Sequence, residues 1–194
     1  MKKLLSIIAI AVTLLISGCI KNDQVIWQGK QAEVDATAYN ANAAGLTYPI
    51  IGRIPGYGRV ANTTDSTLRR LSRTVRLRIN LVGAQSAKDE TVGYELFTSP
   101  ITTFAMPATI SGQTPAASAT TLAVTDAVSG THFTALSGTM TIPANSSFGY
   151  IDLPVLATAA TPGVGKFVGL RLNDNGSVKA SVNYSQLGLV IDQR

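Results

Sequence analysis

The 194-residue chain carries 16 Lys and Arg against 11 Asp and Glu, a formal net charge of +5, with one His and one Cys. Single copies of these two residues exclude an intrachain disulfide and a His/Cys metal cluster, and the mild charge lacks the basic weight of a nucleic-acid-binding surface. Sparse charge with abundant Ala, Thr, Ser and Gly suits an exported β-protein of many short strands and turns.

The chain opens with Lys2 and Lys3, a largely apolar run from Leu4 to Ile16, and then Ser17, Gly18 and Cys19. A cationic start, a short apolar run and small residues before a cut describe a secretory signal peptide. The run holds 13 residues, short of the roughly 20 that a spanning helix needs. Leu15-Ile16-Ser17-Gly18-Cys19 resembles the bacterial lipobox. That resemblance implies cleavage after Gly18, a diacylglyceryl group on the Cys19 thiol, and an acyl chain such as palmitate on the new N-terminus. Each buried CH2 adds about 0.8 kcal/mol, and two or more chains anchor stably. Residues 1–18 are therefore expected to leave as a signal peptide, and 19–24 to form the lipidated cysteine and a polar tether. Loss of Lys2 and Lys3 leaves 14 basic side chains against 11 acids in one domain of 176 residues. The expected location is the outer membrane, on its periplasmic or cell-surface face, with the membrane itself as first partner.

Residues 25–72 are expected to add N-terminal strands and a long loop to the domain whose core is 73–194. Val25-Ile26-Trp27 and Glu33 to Tyr39 each read as a strand start, the second alternating apolar and polar. Asn40 to Thr67, rich in Gly, Pro, Asn and Thr, reads as a long loop or hairpin laid over the fold. From Arg73 the pattern sharpens. Val75, Leu77, Ile79 and Leu81 alternate with Thr74, Arg76, Arg78 and Asn80, which gives a strand one apolar and one basic face. After Gly83-Ala84-Gln85, Thr91 to Phe97 forms the next strand, and 99–119 reads as a loop. Thr121 to Val124 is short and strand-like. Gly138 to Ile142 and Ser147 to Val155, separated by Pro143-Ala144-Asn145, read as a hairpin. Lys166 to Leu172 and Tyr184 to Ile191 supply the last strands, with Asn173-Asp174-Asn175-Gly176 as turn chemistry between them. No useful 3.6-residue apolar period appears after the signal. The expected fold is all-β: an antiparallel, Ig-like β-sandwich with Greek-key links.

Ala127 to Phe133 with Gly130 and His132, then Gly138-Thr139-Met140-Thr141-Ile142-Pro143, Ile151 to Val155 and Phe167 to Leu172, resemble the Calx-beta type of Ig-like sandwich. The chain is most similar in this respect to small Calx-beta-like lipoproteins of the Bacteroidota type. The resemblance covers about 73–191 and implies the sandwich fold, with Gly130 turning the chain so that His132 and Phe133 reach the core edge. The chain departs from calcium-binding Calx-beta domains, which carry acids at strand ends and a Glu-rich stretch where it has Thr161-Pro162-Gly163-Val164-Gly165-Lys166. Asp126, Asp152 and Asp174 are scattered, whereas calcium prefers six to eight oxygen ligands. No metal site is expected.

No catalytic residue is expected either. His132 is the sole candidate base, no serine sits in a Gly-x-Ser-x-Gly context, and Gly163-Val164-Gly165-Lys166 lacks the spacing of a phosphate loop. No cofactor is implied. Arg53, Arg59, Arg69, Arg70, Arg73, Arg76 and Arg78 are seven of nine arginines, with only Asp65 opposing them locally. They read as a solvated strand face plus loop, or as a patch for an acidic partner. Trp27, Tyr48 and Tyr57, with Arg76 and Arg78, are the candidate ligand-facing residues, core packing being the plainer alternative for the aromatics. The expected function is a non-catalytic, lipid-anchored outer-membrane sandwich that serves binding, adhesion or scaffolding in a surface protein complex. The alternatives are a carbohydrate-binding accessory of a glycan-uptake system and a pilus-type subunit whose strand 184–191 pairs with a neighbour.

Overall fold

The structure, a computed structural model, describes residues 29–35, 43, 45–57, 66–106 and 120–194. Cys19, the lipobox residues Ile16, Ser17 and Gly18, Trp27, Arg59 and Asp65 lie outside the described residues. Eleven strands follow in chain order: β1 (Gln31–Val34), β2 (Ile50–Ile51), β3 (Arg73–Val82), β4 (Glu90–Phe97), β5 (Thr103–Met106), β6 (Thr120–Asp126), β7 (Thr139–Ile142), β8 (Phe148–Val155), β9 (Val164–Asn173), β10 (Lys179–Ala180) and β11 (Gln186–Asp192).

They form two sheets, one ordered β10-β1-β3-β8 and one ordered β2-β11-β9-β4-β7, with β6 on β9 and β5 on β6. Period-2 alternation decides what each sheet buries. On β3, Val75, Leu77, Ile79 and Leu81 turn inward, and on β8 Ile151, Leu153 and Val155 do the same. They meet Tyr94, Met140, Ile142, Leu170, Leu187 and Ile191 from the other sheet in the main core. Successive strands lie in different sheets at every step except β4–β5, β5–β6 and β6–β7. The pairing is mostly antiparallel, with short parallel contacts at β1–β10, β2–β11 and β6–β9.

Four features depart from the pattern in the sequence. Gly138–Ile142 and Ser147–Val155 are not a hairpin: β7 pairs with β4 and β8 with β3, in different sheets. Pro143-Ala144-Asn145 is a corner between sheets, held because Ala144 N–H donates to Asp89 (2.8 Å) and Asn145 N–H donates to the Ser86 carbonyl (2.7 Å). Asn145 takes φ 58° there, the left-handed region an Asn tolerates. The two strands cross closely; a Cβ on Gly149 would lie 2.4 Å from the Thr141 carbonyl oxygen. Second, the expected loop 99–119 contains β5, whose Phe104 and Met106 are drawn onto the sheet by an apolar cluster. Third, β10 interrupts the path from β9 to β11 and pairs with β1. Fourth, β1 starts at Gln31, two residues ahead of the alternation at 33–39, while residues 36–39 and the expected strand start at 25–27 lie outside the described residues.

That cluster is a second core. It comprises Ile50, Met106, Leu122, Val124, Phe167 and Val190, packed by Leu46, Tyr48, Phe97 and Phe104. It covers the outer side of the larger sheet, which is why β11 is buried at nearly every position instead of alternately. The described part of the 40–67 region takes part too: β2 lies along β11, Ile54 N–H donates to the Ser66 carbonyl and Leu68 N–H to that of Gly52, while residues 40–42, 44 and 58–65 lie outside the described residues.

Candidate functional site

The outer side of the smaller sheet has no such cover among the described residues. Its register sets Asn80 opposite Phe148, Arg78 opposite Tyr150 and Arg76 opposite Asp152. On the other flank of β3, Glu33 of β1 stands opposite Asn80. Outward positions therefore line up Glu33 on β1 with Asp35 just past its end, guanidinium groups on β3, and two rings and an acid on β8.

The side chains interlock. Arg76 Nε and Nη2 donate to Asp152 Oδ1 and Oδ2 at 2.9 and 3.1 Å, a planar fork on a planar carboxylate. The same guanidinium lies 4.7 Å from the Tyr150 ring centroid. The Arg76 hydrogen bonds hold the Asp152 carboxyl below its ordinary pKa, and Asp152 in turn raises that of Arg76. Arg78 sits between the rings of Tyr57 (4.8 Å) and Phe148 (5.3 Å), within cation–π range. Its side chain donates to Asp35, which is 0% exposed, and its backbone N–H donates to the Tyr57 hydroxyl at 2.9 Å. Phe148 meets Tyr150 edge-on at 5.6 Å, and Tyr57 lies tilted 6.4 Å from Tyr150. Phe148 nevertheless remains 38% exposed. Glu33 is shifted above the ordinary carboxylate range, first by burial and then by the Asp35 charge beside it.

Of the residues singled out in the sequence, Tyr57, Arg76 and Arg78 come together on this face. Tyr48 does not join them. It packs edge-on against Phe97 at 5.6 Å in the second core, where burial raises its hydroxyl pKa. The basic segment is also less bare than its local sequence suggests. Arg76 and Arg78 are matched by acids from β8 and the end of β1, while Arg69 donates to the Arg194 carbonyl and Arg70 to that of Thr158. Phe148, Tyr150, Asp152 and Asp35 were missed as site residues. The signal for three of them was the outward set of the Ser147–Val155 alternation, legible only once β8 is known to pair with β3.

His132 does local structural work. Its Nδ1 accepts the Val128 N–H at 2.9 Å across the turn that Gly130 makes at φ 80°, and Phe133 beside it is buried. Burial, then the Lys166 charge, holds its pKa below the usual imidazole value. Among the described residues no three His, Cys, Asp or Glu side chains gather as a metal site. Asp126 accepts the Ser99 N–H (2.6 Å) and Asp174 that of Ala180 (2.9 Å), so both fasten loops. A further buried acid, Glu90, accepts from Ser177 Oγ (2.5 Å) and Lys30 Nζ (3.2 Å). Hydrogen bonding from Ser177 first, then Ser86 and Lys30, lowers its pKa to about 2. Where β4 and β6 diverge along β9, Leu96, Phe97, Phe133, Val168 and Asp126 border a cleft of about 160 Å³. No described helix is long and apolar enough to cross a membrane.

Neither a protein-family model nor a curated protein matches the chain. Among solved structures, the apo form of the Calx CBD1 domain is similar over 85% of this chain and 99% of that one, at 13% identity and a TM-score of 0.46. CBD12 from CALX1.2 matches at 16% identity and 0.38, and the calcium binding domain CBD12 of CALX1.1 at 15% and 0.39. In those two cases 62% of this chain corresponds to 39% and 40% of the other. None of these three scores reaches 0.5, so the sandwich fold rests on strand order and register.

Proposed function

We propose that the chain is a non-catalytic binding component of the bacterial outer membrane, held there by acyl groups on Cys19, with the β3–β8 face as its binding surface. The carrying observation is the contrast between the two outer sheet faces. One is sealed by a second core. The other presents rings and guanidinium groups that are already fixed by Asp35, Asp152 and Tyr57. Fixed side chains lose little further freedom when a partner docks, which favours affinity. The lipobox residues Ile16, Ser17, Gly18 and Cys19 support the anchor. Strand exchange through 184–191 draws no support, because β11 is paired with β9 on one side and β2 on the other and is buried along its length.

The test has two parts. Cys19→Ser should take the protein out of the outer-membrane fraction, and mass spectrometry of the parent should find the acyl groups on a chain that starts at Cys19. Partners cross-linked to the intact chain on whole membranes should be lost with Phe148→Ala and kept with Tyr48→Ala. A Cys19→Ser protein that still reaches the outer membrane, or a parent chain with residues 1–18 attached, overturns the anchor, and capture that survives Phe148→Ala overturns the face.

A further inference from the structure

We infer that the β3–β8 face takes a neutral oligosaccharide. This rests on the reading of that face as the binding surface, and it names the ligand class. The run of arginines leaves an acidic partner open as one reading of the sequence beside a plain solvated face. The structure removes the ground for that partner. Each guanidinium on the face already has its carboxylate, Arg76 with Asp152 and Arg78 with Asp35. An anion arriving there meets a surface whose positive charge is cancelled and whose acids would repel it. A neutral ligand meets no such mismatch.

The remaining features fit a polyhydroxylated chain. The Arg76–Asp152 fork is open to solvent, with side chains 60% and 44% exposed. It offers donors and acceptors side by side, and hydroxyl groups both donate and accept. Beside it Phe148 keeps 38% of its surface exposed, an apolar plate for the C–H face of a sugar ring, and Tyr150 bridges plate and fork. Outward residues of a strand repeat about every 7 Å, so Phe148, Tyr150 and Asp152 span about 14 Å. That strip is longer than one sugar ring and suits a short stretch of glycan. On the same face, Arg78 is clamped between Tyr57 and Phe148 and tied to buried Asp35, which steadies the plate. Glu33, the remaining acid of β1 on this side, is shifted toward its neutral form by burial and by Asp35.

The experiment titrates the full chain in detergent with malto-, cello-, xylo- and mannohexaose and with oligogalacturonate as the acidic counterpart. Binding of at least one neutral hexaose, little changed when salt is raised, is expected. Phe148→Ala and Asp152→Asn should each weaken it about tenfold, the scale of one well-placed contact. Asp152→Asn preserves shape, so the test survives if Phe148→Ala misfolds. Tyr48→Ala, checked by circular dichroism, should leave affinity unchanged. Preference for oligogalacturonate with salt-sensitive affinity overturns the inference, as does binding to no neutral sugar. If no sugar binds while Phe148→Ala still abolishes capture of a membrane partner, the ligand class falls and the binding face stands. If Phe148→Ala alters neither, both fall.

Discussion

The two outer sheet faces use similar residue types to opposite ends. On the larger sheet, Tyr48, Phe97 and Phe167 meet edge to face with centroids 5.6 and 5.8 Å apart, and strands and loop close over them. On the smaller sheet, Tyr57, Phe148 and Tyr150 meet at similar distances, but their company is Arg76, Arg78, Asp35 and Asp152, and no cluster covers them among the described residues. Aromatic rings at strand positions therefore do not by themselves tell a sealed core from an open face. What separates the two is whether the neighbouring strands contribute apolar side chains or charge pairs to the same face.

The contrast is sharpest at the most buried ring. Phe167 is 1% exposed and packs on Phe97 and over Gly188. Phe167→Ala should cost about 3–5 kcal/mol of stability, whereas Phe148→Ala should cost about 1 kcal/mol or less. Denaturant midpoints of the two variants measure both, and equal losses would break the distinction between sealed and open faces. Next in size is Asp35→Ala. It strands the Arg78 guanidinium half-buried without its acid, and loss of one partner of such a pair costs about 3–5 kcal/mol at most. Urea unfolding should show that loss, reduced in the double variant Asp35→Ala/Arg78→Met.

A smaller, pH-dependent effect lies away from both faces. The pKa of Glu90 is lowered to about 2 in the folded state, below its ordinary 4.5. A carboxylate held below its unfolded value stabilises the fold fully above that value, and the gain fades as pH falls through the folded pKa. Thermal midpoints should therefore decline between about pH 4.5 and 2 more steeply in the parent than in Glu90→Gln. Smallest of all is Arg76→Ala. Its fork with Asp152 is solvated on both sides, so melting should hardly change even where ligand binding does.

The strands were legible where alternation is long. Arg73 to Leu81 and Ser147 to Val155 announce their inward faces residue by residue, and the structure buries the apolar set. The partners were not legible. Pro143-Ala144-Asn145 says that the chain turns, but not that it turns into the other sheet, since that depends on β4 and β3 claiming the two strands separately. Phe104 and Met106 sit in a short, polar-flanked stretch, and only contact with Leu122 and Phe167 makes them a strand. The same holds for the site. Arg76 and Arg78 showed their outward direction in the sequence, yet the acids that neutralise them come from 43 and 76 residues away.

Strand β1 gives the molecule a mechanical asymmetry. It is four residues long, joined to β3 on one side and to two-residue β10 on the other, and Asp35 follows directly at its end. Tension applied to the chain ahead of Gln31 loads this short element before it reaches the long strands that hold the main core. Peeling it away withdraws the carboxylate that steadies Arg78, so the ring plate would slacken while the seven-stranded layer is still whole. Strain on the chain ahead of Gln31 and the hold of Asp35 on Arg78 thus pass through the same few residues.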